Sequence, residues 1–125
     1  MTTTPLPLHD RERIARTALD ALGGSRSEAA LLHVNCPASH HLATVFDTSA
    51  GPVYLATVHG RSHGRRDRAD TPHHPHDEAL YVDLLEPRAT TDDALPAWCD
   101  CGQRSLSRAS VAAWVAAGER RVVVD

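Results

Sequence analysis

Only three cysteines occur in the 125 residues, and two of them sit in the turn Cys99-Asp100-Cys101-Gly102. The third, Cys36, opens the stretch Cys36-Pro37-Ala38-Ser39-His40-His41. Thiolates and imidazoles are the donors that a tetrahedral Zn²⁺ takes, four at a time. Two tight turns giving two donors each are enough to close such a site. Gly102 is free to take positive φ as the chain leaves one turn. Pro37 fixes φ just after the first ligand of the other. The ligand set read from this pattern is Cys36, His40, Cys99 and Cys101. His41 is the nearest substitute for His40, and His33 lies three residues before Cys36. A closed Cys₃His set leaves no metal position for water, so the zinc expected here is structural. The competing readings are core cysteines, which pack as small apolar residues, and a disulfide, which would leave one of three thiols unpaired.

The two turns resemble the knuckles of zinc ribbons, a fold in which metal-holding knuckles sit on β-hairpins. The resemblance covers the knuckles and the strands beside them, and it implies zinc as the cofactor. Ribbon knuckles usually read Cys-x-x-Cys-Gly. In this chain His40 falls one place late, and Asp100 alone separates the second pair of thiols. The intervening residues 41–98 far exceed the roughly 15–20 residues of compact four-cysteine sites.

The elements that must position these turns can be read from apolar spacing. Ile14, Ala18 and Leu22, with Ala15 and Leu19, put one stripe on a helix over 11–22. Asp10 is its expected cap and Gly23-Gly24 its stop. The charged face of Arg11, Glu12, Arg13, Arg16 and Asp20 reads as solvated. Residues 29–35 predict a strand entering Cys36, and 42–46 a strand leaving His41. Asp47–Gly51 reads as a turn, followed by strands over 53–58 and 79–85. Residues 88–95 read as a polar connection whose Asp92-Asp93 faces solvent. Leu106–Ala117 predicts a helix with Ser107 as N-cap and a Leu106–Val111 staple. Val122–Val124 reads as a last short strand. Trp98 and Trp114 are expected near the metal turn. The fold class is therefore α+β: a small, mainly antiparallel sheet with a zinc-ribbon-like site, flanked by an N-terminal and a C-terminal helix. The length suits a single domain over 1–125, with residues 1–9 frayed.

Residues 59–78 hold five of the nine histidines and almost no apolar side chains. Such a stretch predicts a mobile loop. Its Arg61, Arg65, Arg66 and Arg68 are candidate phosphate contacts, joined by Arg104 and Arg108. His73, His74 and His76 form a further metal-prone tract. The acidic residues in the loop offset its arginines, and the net charge of −3 gives no overall pull toward nucleic acid. The N-terminus has no basic and apolar leader, and no run of about 20 apolar residues crosses a membrane. A cytoplasmic protein is expected.

Three functions remain open at this stage. The first is a zinc-binding adaptor for another macromolecule, with a protein as the expected partner. The second is a nucleic-acid-binding regulator using the arginines. The third is a zinc-dependent hydrolase with an open metal position and Asp100, Asp92 or Glu86 as base. The signatures of zinc proteases and zinc deaminases are absent from the sequence. Oligomeric state is not legible.

Overall fold

The computed structural model describes residues 5–57 and 80–124. In chain order, α1 spans Leu8–Asp20, and four strands follow: β1 Ala30–Asn35, β2 His41–Thr48, β3 Gly51–Thr57 and β4 Leu80–Leu84. Then come β5 Ala94–Cys99, β6 Gly102–Ser107, α2 Arg108–Ala116 and β7 Arg121–Val123. The fold is α+β, as the sequence predicts. One sheet runs in the order β4-β3-β2-β1-β7, and β5-β6 forms a separate two-stranded hairpin. All pairings are antiparallel except β1 with β7.

Alternation along the strands gives the large sheet two buried faces. On one, Leu32 and Val34 of β1, with Cys36 just beyond its end, join Ala43, Val45, Tyr54 and Ala56. The hairpin covers this face with Leu95, Ala97, Cys99 and Leu106, and α2 adds Val111. On the other, Phe46, Val53, Val82 and Leu84 pack against Ala15 and Leu19 of α1. The run Leu42–Phe46 is buried throughout because β2 lies inside the sheet with both faces covered. The β2–β3 turn is held by Thr48, whose hydroxyl donates to the Gly51 carbonyl at 2.7 Å and accepts from Ala50 N at 3.0 Å. Gly51 has φ 94°, a conformation that costs glycine nothing.

Several boundaries differ from the sequence reading. The first helix begins at Leu8, not 11, with Pro7 at its N-cap. The Pro7 carbonyl accepts from Asp10 N and Arg11 N at 3.0 Å each, so Asp10 lies inside the first turn and does not cap it. The expected frayed stretch 1–9 is tied down from Leu6 onward, since Leu6 N donates to the Ala89 carbonyl at 2.9 Å. The connection expected over 88–95 gives way to β5 at Ala94, and 102–107 forms a strand before α2. Ser107 does cap α2, its hydroxyl accepting from Ser110 N at 3.2 Å. The last strand is Arg121–Val123 and runs parallel to β1. The mobile-loop reading of 59–78 lies outside the described residues.

The solvated reading of the first helix's charged face fails at Arg11. This side chain is buried and donates to Asp83 through Nε at 2.7 Å and Nη2 at 3.1 Å. Arg108 Nη2 reaches the same carboxylate at 3.0 Å, and the Tyr81 hydroxyl donates to it at 2.6 Å. Arg11 also donates to the Leu6 carbonyl, and Arg108 to the carbonyls of Leu84 and Asp92. One fully buried carboxylate thus joins α1, β4 and α2. Each guanidinium is fully partnered, which is the condition for burying charge without a large penalty.

Candidate metal centre

Cys36 continues the inward alternation of Leu32 and Val34 one residue past the end of β1, and it is 1% exposed. The turn after it closes tightly: Cys36 N donates to the His40 carbonyl at 2.9 Å, and Ser39 N to the Cys36 carbonyl at 2.8 Å. Ser39 carries φ 73°, the single positive φ of a non-glycine residue among those described. Strain of this kind collects where a turn must aim a side chain. Here it brings His40 Nδ1 to 3.4 Å from Cys36 Sγ.

The second pair of thiols comes from the β5–β6 turn. Ala97 and Cys99 are inward residues of β5, and Cys99 pairs with Gly102, whose φ of 129° lets the chain reverse. Within the turn Cys101 N donates to Cys99 Sγ at 3.4 Å. Cys101 Sγ in turn lies 3.4 Å from His40 Nδ1. The four donor atoms of Cys36, His40, Cys99 and Cys101 all lie within 4.8 Å of one another. Bond lengths of about 2.3 Å to sulfur and about 2.0 Å to nitrogen put tetrahedral donors roughly 3.5–3.8 Å apart. The cluster fits a metal ion of that coordination, with Nδ1 as the imidazole donor.

Comparison with family models, with curated proteins and with solved structures finds no match to this chain. The site's own chemistry is thus the ground for reading it. Burial pushes the Cys36 thiol up, but hydrogen bonds from the backbone of His40 and Ala38 and from the Cys99 and Cys101 thiols outweigh it and bring it down to about 7. Cys101 moves the other way, raised by burial and then by the neighbouring Cys36 and Cys99. Three thiols this close oppose one another's ionisation, and a divalent cation removes that conflict. All three cysteines are free of disulfides.

The two substitute histidines stand elsewhere. His33 alternates with the inward residues of β1 and pairs across the strands with Thr44. His41 Nε2 lies 2.6 Å from Thr44 Oγ1, and the two imidazoles meet edge-on at 6.3 Å. Neither belongs to the four-donor cluster. Trp114 packs against the core that contains Cys36 and Cys99, while Trp98 is half-buried opposite Gln103.

The other candidates are dispersed. Asp92 and Asp93 are exposed, as expected, but both hold backbone: Asp92 Oδ1 accepts from Ala94 N at 3.1 Å, and Asp93 Oδ1 from Ala109 N at 2.9 Å at the start of α2. Glu86 accepts from Arg88 N at 3.2 Å. Asp100 is exposed on the metal turn. Arg108 is buried on Asp83 and is not available to a phosphate, which corrects its place among the nucleic-acid candidates. Arg61, Arg65, Arg66 and Arg68, with the tract of His73, His74 and His76, lie outside the described residues. No helix among the described residues is long and apolar enough to cross a membrane.

Sequence reasoning missed the Asp83 cluster. Its signal was present: an acidic residue between Val82 and Leu84 in a strand otherwise fit for the interior. Such a carboxylate requires a buried cation, and cations were read only as surface groups.

Proposed function

We propose that this chain is a small zinc-binding module whose metal is structural and whose work is to bind another macromolecule, with a protein as the partner. Cys36, His40, Cys99 and Cys101 hold the zinc, and all four valences are taken by side chains. The observation that carries this reading is the approach of four donors from two separate hairpins to within 4.8 Å of one another. Their placement at two β-turns supports a ribbon-like site. When bound, the metal supplies a cross-link between the β1–β2 and β5–β6 hairpins and charge compensation for the thiolates. A reducing, cytoplasmic setting keeps such thiols available to it. The net charge of −3 and the engagement of Arg108 favour a protein over a polyanion.

The test is the metal content of untagged protein purified without chelator, read by native mass spectrometry beside Cys99→Ser and Cys101→Ser. One zinc per wild-type chain, lost in both variants, is the expected result. A metal-free wild type that unfolds cooperatively overturns it. Retardation of DNA or RNA by the protein at low salt would overturn the choice of partner.

A further inference from the structure

A concavity of about 510 Å³ opens between the start of α1 and the β5–β6 hairpin. None of the four donor residues lines it. Its volume lies within the roughly 300–1,000 Å³ typical of small-molecule sites. One wall is apolar, made by Leu8, Ala94 and Pro96. Leu8 is 43% exposed there, one of few large apolar side chains left open to solvent.

Arg104, Gln103 and Ser105 of β6 also line it. Arg104 is half-buried, and its Nε is shielded from solvent without a hydrogen-bond partner. No hydrogen bond or ion pair joins this guanidinium to any described residue. Arg11 and Arg108, by contrast, have Nε and both terminal nitrogens engaged by carboxylate or carbonyl oxygens. Arg104 is thus the cation lining this cleft, and its guanidinium fork has no partner among the described residues. The planar guanidinium fork matches a carboxylate or a phosphate. Asp92 stands on the same rim with its own negative charge, which disfavours multiply charged anions. The apolar wall suits a hydrocarbon or aromatic body.

We propose that this cleft binds a small organic monocarboxylate, with Arg104 on the carboxylate and Leu8 and Pro96 against the apolar body.

The experiment is a ¹H–¹⁵N NMR titration of the zinc-loaded full chain with hexanoate and with benzoate, and with inorganic phosphate for comparison. The expected result is saturable shifts at the amides of Ala94, Gln103, Arg104 and Ser105 with at least one carboxylate. Arg104→Gln weakens that binding at least tenfold, and Ala94→Phe, which fills the cleft from an exposed position, abolishes it. Both variants keep their zinc and their spectral dispersion, and the second variant decides the matter should the first fail to fold. Absence of saturable shifts, shifts mapping elsewhere, equal affinity in Arg104→Gln, or phosphate binding as tightly as carboxylate overturns the proposal.

Discussion

Asp83 shows how much a single side chain decides in this fold. Its carboxylate is fully buried and shared by Arg11 and Arg108. Removing one partner of a buried pair typically costs about 3–5 kcal/mol, because the other charge is left uncompensated. Asp83→Asn should therefore lower unfolding stability by about that amount, measured by urea denaturation. Arg13→Ala, which breaks an exposed pair with Asp10, should change it by less than about 1 kcal/mol. The effect carries a pH signature. Burial raises the Asp83 carboxyl, but hydrogen bonds from Arg11, Tyr81 and Arg108 outweigh this and hold it below its ordinary value of 3.8. A depressed pKa contributes stability that is fully present above the unfolded value and is lost as pH falls through the folded one. The gap between wild type and Asp83→Asn should stay constant down to about pH 4 and narrow below it. The residue scale also marks what sequence can reveal. The four donors were legible because their element types are few and their spacing is local within each turn. Arg11 was not, because its partner lies 72 residues away and nothing on the helix itself separates it from Arg13.

At the scale of elements, most strands could be read from apolar alternation, but the β5–β6 hairpin could not be read from periodicity. Gly102–Ser107 contains one large apolar residue, Leu106, so it lacks the period-two signal of a half-buried strand. Pro96 further argues against a strand, yet it is tolerated in β5 because this two-stranded unit has free edges. The sequence reading accordingly placed a polar connection over 88–95 and no strand on either side of Cys99-Asp100-Cys101, where β5 and β6 stand. The second helix was legible through its cap. Ser107→Ala should destabilise the chain by about 1 kcal/mol in urea denaturation, because Ser110 N loses its acceptor. Asp93 makes a second cap on Ala109 N, and hydrogen bonds from Ser107 and Ala109 hold its carboxyl below the usual range. Asp93→Asn should destabilise the chain as well, by less in the Ser107→Ala background because the two side chains share a hydrogen bond, and its effect should fade as Asp93 is protonated in acid.

The whole molecule is tied together at two places of different chemistry. The Cys36, His40, Cys99 and Cys101 cluster joins the hairpin to the β1–β2 turn. The Arg11–Asp83–Arg108 cluster joins α1, β4 and α2 without using those four residues. The two packed cores follow the same division, one under the hairpin and containing Cys36 and Cys99, the other under α1. Metal binding that organises a site is folding free energy for the elements it joins. With zinc held as proposed, chelation should weaken the molecule unevenly. Amide hydrogen exchange with and without chelator should show protection falling first in β5, in β6 and in residues 34–43. Protection in α1 and β4 should persist longer, because their core and their buried ion cluster do not pass through the thiols. Simultaneous loss of protection everywhere would mean that the metal and the ion cluster belong to one cooperative unit. Loss of protection first in α1 would mean that the ion cluster, not the metal, is the weaker tie. The expected order assigns the metal to the hairpin and the charges to the helices.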